Sequence, residues 1–221
     1  MLTLDQIKKH PQIKAFVRAT DNFIQQWGFT EHGFRHINLC SDIARNVARE
    51  VGLDKREQEL CAIAAYLHDT GNFLGRTWHH YWGSLLVYPI LRELGMDPDD
   101  LVLVLNAITA HDKQDIKIVT PIAAIVALAD KSDVHRSRVP KADIAHLEDD
   151  IHSRVNYAVT KSFLEVEKKT KRIILKITID TKIVPVMEYF EIFTERMAFC
   201  RLAAEYLGYQ FGLVINDTKL L

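Results

Sequence analysis

The chain has 221 residues, enough for one main domain with a substantial core but too few for two full-sized domains. Lys and Arg total 28 and Asp and Glu total 29, so the formal net charge is −1 and no whole-chain basic field attracts nucleic acid. This balance does not exclude a small phosphate ester, because a local site carries its own charge.

The three cysteines, Cys40, Cys61 and Cys200, are odd in number, include no CxxC pair and lie among apolar residues at helical spacing. This pattern indicates reduced core thiols, as in cytosolic proteins. The N-terminal residues lack a basic region followed by an apolar run, and no apolar run approaches the roughly 20 residues of a membrane span. We therefore expect a cytoplasmic protein without a signal peptide or membrane partner.

Two helices are predicted before residue 52. Pro11 suits the first turn of a helix that runs to Trp27 and stops at Gly28. After a loop that contains His32, the second helix places His36 at the start of an apolar stripe with spacings of three and four. Taken alone, His36 is either a core histidine that bonds a backbone carbonyl or a metal ligand.

The third helix ends in a polar pair. Asp54 caps this helix after Gly52, and its apolar face runs into His68-Asp69 and a turn at Gly71. Adjacent His and Asp side chains at the end of a buried helix require a partner, and a metal ion is the simplest one. The partial negative charge of a helix C-terminus favours a cation at the same place.

The fourth helix, predicted from about residue 78 to 94 with Thr77 as its cap, begins with two adjacent histidines. One stripe can be drawn through His79 and Gly83 and another through His80, and the spacing does not choose between them. Gly83 removes a side chain one turn after His79, where a ligand or a helix can approach, and this favours His79. The other histidine is then solvated.

Two further residues of metal-ligand type follow apolar faces. His111 comes one turn after Ala107 at the end of one helix, and Asp130 lies near the end of the next. A carboxylate in that position requires a cation. In the alternative interpretation this is a surface charge cluster, in which Lys131 and Asp133 pair with each other.

Three basic residues, His135, Arg136 and Arg138, follow Asp130 closely. They are either a solvated loop or contacts for a substrate phosphate. In the second interpretation they bind the substrate together with Asp133, and they offset an acidic surface at Asp112, Asp115 and Asp133 that the substrate passes.

In the last third of the chain the spacing of apolar residues changes from that of helices to that of strands. A strand over 163–167, a polar turn over 168–171 and a strand over 173–179 predict a hairpin, followed by a helix over 184–206 and a strand over 209–216. We therefore expect a mainly α fold: a helical metal-binding domain over 1–158 and a small β-β-α-β unit with a three-stranded sheet over 159–221, packed on it.

Residues from about 31 to 133 resemble the HD superfamily of metal-dependent phosphohydrolases, whose signature is a first His, a His-Asp pair and a distal Asp. The resemblance implies an all-helical core in which His36, His68, Asp69 and Asp130 hold one metal, with His68, Asp69 and Asp130 as the catalytic residues. His79 or His80, and His111, are similar to the added ligands of dinuclear members, where Asp69 would bridge two ions. Imidazole and carboxylate ligands admit Mn, Fe, Co, Ni, Zn or Mg.

This resemblance implies hydrolysis of a nucleotide or other small phosphate monoester or diester by metal-activated water. Asn72 departs from two branches of the superfamily: cyclic-dinucleotide phosphodiesterases have a lysine at this point, and bacterial deoxynucleotidases have a catalytic glutamate. The alternatives are a di-iron oxygenase of the same superfamily and a non-catalytic nucleotide-binding sensor. The expected partner is a small phosphorylated substrate and not nucleic acid, and a homodimer is one option for assembly.

Overall fold

A computed structural model describes residues 2–112 and 117–221 of the chain. Within these ranges the chain up to residue 158 is helical, with short 3₁₀ turns between the longer helices. The α-helices are α1 (Leu4–Lys9), α2 (Pro11–Gln26), α3 (Phe34–Val51), α4 (Lys55–Leu67), α5 (His79–Glu93), α6 (Pro98–Ala110), α7 (Pro121–Ser132) and α8 (Ile151–Ala158). The mainly α fold is therefore confirmed.

Local signals explain most helix boundaries. Asp54 accepts a hydrogen bond from the Glu57 backbone N–H and completes a capping box at the start of α4. Gly52 ends α3 in the left-handed conformation, with φ of 96°. Two details differ from the prediction: α1 was not expected, and Trp78 rather than Thr77 precedes α5.

The centre of the helical part is formed by α4 and α7. Residues 60–67 of α4 and 122–129 of α7 are buried on every side, which explains their unbroken apolar runs. The two helices pack on each other, and α3 and α6 pack on both. This arrangement brings the C-terminal ends of α4 and α6 close to the end of α7.

The C-terminal part contains β1 (Val159–Glu167), β2 (Arg172–Ile179), α9 (Val186–Tyr206), β3 (Gln210–Ile215) and β4 (Thr218–Lys219). The sheet order is β1-β2-β3-β4, with antiparallel pairing except between β2 and β3. Parallel strands require a long crossover, and α9 supplies it. The fourth strand was not predicted, because two residues are too short to show a period.

Helix α9 packs against α7, and β1 contacts α3 and α7. The apolar face of α9 is well buried, including Tyr189, Phe193 and Cys200. Burial of this face ties the C-terminal elements to the central helix of the chain. The division at residue 158 stays a prediction.

Among the described residues, no helix combines the length and the apolar character needed to cross a membrane.

Candidate metal centre

Six side chains from five helices meet at one buried place. His36 lies in the first turn of α3, His68 and Asp69 directly follow α4, His79 begins α5, His111 follows α6, and Asp130 lies in the last turn of α7. The first five are at most 2% exposed. The helical packing therefore brings residues from 36 to 130 into one cluster.

Asp69 lies at the centre of this cluster. Its Oδ2 atom is 3.4 Å from His36 Nε2 and 3.3 Å from His68 Nε2. Its Oδ1 atom is 3.4 Å from His79 Nε2 and 3.8 Å from His111 Nε2. The two oxygens of one carboxylate thus face two different pairs of imidazoles.

Asp130 completes the first of these two sets. Its Oδ1 atom is 3.4 Å from His36 Nε2 and 3.7 Å from His68 Nε2. One donor set therefore contains His36, His68, Asp130 and Asp69 Oδ2, and the other contains His79, His111 and Asp69 Oδ1.

The outer nitrogen of each histidine is fixed by a hydrogen-bond acceptor. The Nδ1–H groups of His68, His79 and His111 donate to backbone carbonyl oxygens three residues earlier, at 2.6–2.7 Å. His36 Nδ1 lies 2.6 Å from Asp133 Oδ2. In a neutral ring this leaves the Nε2 lone pair directed inward, as metal ligation requires.

The inward atoms fit a cation better than they fit one another. His36 Nε2 and His68 Nε2 are 3.3 Å apart, and His79 Nε2 and His111 Nε2 are 3.1 Å apart. Asp69 Oδ2 is buried without a hydrogen-bond partner. Lone pairs and carboxylates that face each other in a buried site repel unless a positive charge lies between them, so this donor set fits divalent metal.

The protonation of the cluster agrees with this conclusion. Burial disfavours the charged imidazole, but Asp69 and Asp130 raise the pKa of His68 to about 10. Without metal, His68 thus carries a proton where a cation is needed. Burial and the nearby Arg76 lower the pKa of His79 to about 4, so this ring is neutral and ready to ligate at neutral pH.

The comparison with known families fits this geometry. The sequence pattern of the HD domain matches residues 33–134, which include all six clustered residues. Residues 33–134 form an HD domain. HD domains bind divalent metals, and the cluster contains groups of ligand atoms that could hold such an ion.

The chain is similar to the following two proteins, among others. An uncharacterized protein of Methanocaldococcus jannaschii, MJ1020, is 25% identical over 173 residues, which cover 67% of this chain and 65% of the relative. The chain thus spans less than two thirds of that relative's length. The crystal structure of a predicted HD superfamily hydrolase from an uncultured Thermotogales bacterium is 21% identical, with a TM-score of 0.45, and covers 67% of this chain and 81% of the other.

Two polar residues to which the sequence analysis gave no supporting role, Asn72 and Arg76, hold Asp69 in the HD domain. Asn72 Nδ2 donates to Asp69 Oδ1 at 2.7 Å, and Arg76 Nη1 donates to Asn72 Oδ1 at 2.9 Å. Gly71 makes this turn fit, because a Cβ there would overlap the His79 carbonyl oxygen and the Gly83 nitrogen. The short spacing of these residues after His68-Asp69 is the only sequence signal for them.

His79, and not His80, lies in the donor sets of the HD domain. The rings of both are buried, but no group of ligand atoms among the described residues includes His80. The His80 ring packs against Tyr81, with centroids 4.4 Å apart, and against Trp78. The expectation that the second histidine is solvated is therefore wrong, whereas the choice of His79 as the ligand stays a prediction that this geometry favours.

The proposed surface pair of Lys131 and Asp133 is wrong. Both are buried. Lys131 Nζ is 2.6 Å from Asp130 Oδ2 and 3.1 Å from Asp112 Oδ1, so it offsets the carboxylates of the HD domain. The missed feature is that α7 is buried on all sides, which leaves Lys131 no route to the surface.

Asp133 does not line an acidic surface, because it is buried. Its carboxylate contacts His36 Nδ1 and accepts two hydrogen bonds from the Arg35 guanidinium, at 2.7 and 3.2 Å. Arg138 and these contacts lower the pKa of Asp133. Asp133 is thus a positioning residue for His36. Asp115, which was predicted for the same surface, lies outside the described residues.

Protein groups contact each of the three side chains of the basic segment. Arg138 is buried and donates to the carbonyl oxygens of Glu31 and Asp133. His135 contacts the Ser137 hydroxyl and the Thr160 carbonyl oxygen, and the Arg136 guanidinium lies 5.4 Å from the centroid of the Tyr157 ring. These contacts give the three residues structural roles, and the phosphate contact stays a prediction.

Two missed residues lie close to His36. Cys40, one turn later on α3, has its Sγ 3.6 Å from His36 Nδ1. His32 is buried, and its ring centroid is 5.5 Å from that of His36. The available sequence signal for both was their position in the chain: His32 lies four residues before His36, and Cys40 lies four residues after it.

A cavity of about 160 Å³ lies beside the HD-domain cluster. It borders the cluster through Arg76, whose Nη1 is 3.7 Å from Asp69 Oδ1, and through His32. Cationic and imidazole side chains outnumber the carboxylates in the described lining, which contains His32, Arg76, Arg138, His152 and Arg196 together with the carboxylate of Asp150. The cavity therefore offers an anion a position next to the metal ligands.

Proposed function

We propose that the protein is a metal-dependent phosphohydrolase that cleaves a small phosphate ester at the HD-domain cluster. The observation that carries this proposal is that the two oxygens of Asp69 face two different pairs of imidazoles, with a cavity lined largely by cationic side chains beside them. A bound divalent ion supplies a water of lowered pKa and polarises a phosphoryl oxygen. Phosphate esters are anions, and the cavity provides the positive charge that such a substrate requires.

Neighbouring residues orient the side chains of this site and offset part of its negative charge. Asp69 offers one oxygen to each donor set, and Asn72 fixes the orientation of its carboxylate. Lys131 offsets the charge of Asp130 and Asp112 without contacting the histidines directly. Backbone carbonyls and Asp133 hold the imidazoles with Nε2 inward.

Cysteine catalysis is not needed and does not fit two of the three thiols. Burial raises the pKa of Cys61 well above its ordinary value and that of Cys200 to about 12. These thiols therefore stay protonated at neutral pH, and a protonated thiol is a weak nucleophile.

Metal analysis followed by a substrate panel tests the proposal. The purified protein is expected to contain a divalent metal and to hydrolyse a compound in a panel of nucleotides, cyclic nucleotides and sugar phosphates, with release of phosphate from a monoester or of a monoester from a diester. Chelation is expected to stop the release, and added metal to restore it. A metal-loaded protein that cleaves nothing in the panel would contradict hydrolysis, and iron with a visible absorption band would point to oxygenase chemistry instead.

We also expect two metal ions per chain when metal is in excess, since the two donor sets share only Asp69. The variant His111→Ala is expected to lower the stoichiometry from two to one, because it removes half of the imidazoles of the second set. Metal content after dialysis measures this. His146→Ala is the matched control, since that histidine is 74% exposed. A stoichiometry of one in the unaltered protein, unchanged by His111→Ala, would restrict metal to His36, His68, Asp69 and Asp130.

A further inference from the structure

Two arginines reach the cavity from distant parts of the chain. Arg76 follows the 3₁₀ turn Asn72–Leu74 that begins directly after the His68-Asp69 turn, and Arg196 lies on α9, well beyond the HD domain. Arg138 also lines the cavity, but its guanidinium is bound to backbone carbonyl oxygens. Arg76 and Arg196 are thus the two cations with capacity for a further acceptor.

Arg196 is a half-buried charge without an acidic partner. Among the residues that the structure describes, it makes no salt bridge and no side-chain hydrogen bond, and its guanidinium lies 4.8 Å from the centroid of the Phe193 ring on its own helix. Burial lowers its pKa; the carboxylates of Asp130 and Asp112 partly oppose this shift, and the charges of Arg138 and Arg76 add to it. A desolvated guanidinium of this kind disfavours folding unless an anion binds it.

Arg76 connects this charge to the metal ligands. Its Nη1 atom donates to Asn72 Oδ1 and is 3.7 Å from Asp69 Oδ1. In the described part of the chain, Nη2 of Arg76 has no salt bridge or hydrogen bond of its own. An anion bound by Arg76 and Arg196 would therefore lie directly beside the proposed metal site, to which Asp69 contributes.

We propose that Arg76 and Arg196 form a second phosphate site, so that the substrate carries two adjacent phosphates, as in a diphosphate ester. This inference rests on the proposed function, because one phosphate occupies the metal-ligand cluster and the other the cavity. The planar fork of arginine binds two phosphate oxygens at once, which suits a terminal phosphate. A monoester with a neutral leaving group would leave the charge of Arg196 unmatched.

Binding of two probes to the metal-loaded protein tests the second site. We expect methylenediphosphonate, a non-hydrolysable diphosphate, to bind more tightly than inorganic phosphate in calorimetric titrations. Arg196→Gln and Arg76→Gln are each expected to weaken diphosphonate binding by about ten- to a hundredfold, since each charge-assisted hydrogen bond contributes roughly 1.5–3 kcal/mol. For Arg196→Gln the affinity for inorganic phosphate should stay the same.

Arg201→Gln is the matched control, because Arg201 lies on the same helix and is 61% exposed. It should bind both probes as the unaltered protein does. The melting temperature separates binding from structure: Arg196→Gln is expected to keep or raise it, because the substitution removes an unmatched charge. A lower melting temperature with parallel loss of both probes would make Arg196 structural and overturn the second site.

The two proposals fail in different ways. Hydrolysis of simple monoesters by a protein with no preference for diphosphonate would overturn the second site and leave the hydrolase standing. A diphosphonate preference that Arg196→Gln removes, without phosphate release from any compound, would support the second site and contradict hydrolysis.

Discussion

Asp69→Asn is expected to remove metal from both donor sets and to abolish phosphate release, while the helical fold remains. The reason is that Asp69 alone contributes to both sets, with Oδ2 facing His36 and His68 and Oδ1 facing His79 and His111. An amide offers one neutral oxygen in place of two that share a negative charge. The loss of metal affinity should exceed the roughly 10–100-fold that follows from altering a hydrogen-bond partner of a ligand.

Metal content, phosphate release and circular dichroism measure this outcome. His68→Ala should behave in the same way at the first set. Asp42→Asn, an exposed position on the same helix as His36, is the control and should keep full metal and activity. Full metal and full activity in Asp69→Asn would refute the assignment of the centre.

Asp133→Ala is expected to reduce both stability and metal affinity. It removes the acceptor for His36 Nδ1 and leaves Arg35 and the nearby Arg138 without their shared carboxylate. Breaking a buried ion pair costs about 3–5 kcal/mol, and the lower end applies because the Arg35 side chain is 33% exposed. Without its acceptor His36 can turn, so metal affinity should fall by roughly 10–100-fold.

Urea unfolding and metal titration measure these two effects separately. Asp133→Asn keeps an oxygen that can accept from His36, so it should recover much of the metal affinity but not the stability. If Asp133→Ala retained the metal affinity of the unaltered protein, the contact with His36 would be irrelevant to ligation.

Helical spacing predicted much of this centre because each ligand lies at the end of an apolar stripe. His36, His68, His111 and Asp130 could be placed in this way without knowledge of the fold. The choice of His79 over His80 needed the packing of α5, since adjacent helical residues point about 100° apart. Gly83 gave a correct indication because its backbone lies against Gly71.

The roles of residues after the ligands could not be derived from spacing. Lys131 and Asp133 read as a surface pair as long as α7 was taken to have an exposed side, but the helix is buried all round. The basic segment looked like a phosphate contact because sequence does not show that carbonyl oxygens of residues 31 and 133 bind Arg138. Arg196 carried no local signal, because only the tertiary packing of α9 on α7 brings it to the cavity.

Two proposed properties, metal binding and the choice of anion, depend on different parts of the chain, which the packing of α9 on α7 brings together. The residues proposed to hold metal all lie within residues 33–134, whereas Arg196 lies on a helix that forms the crossover between β2 and β3. Exchange of the C-terminal elements for those of another HD-domain protein could therefore change which anions enter the cavity without altering any ligand. An excised fragment of residues 33–134 would keep the six ligand residues but lose one wall of the cavity, together with the apolar cover of its own central helix.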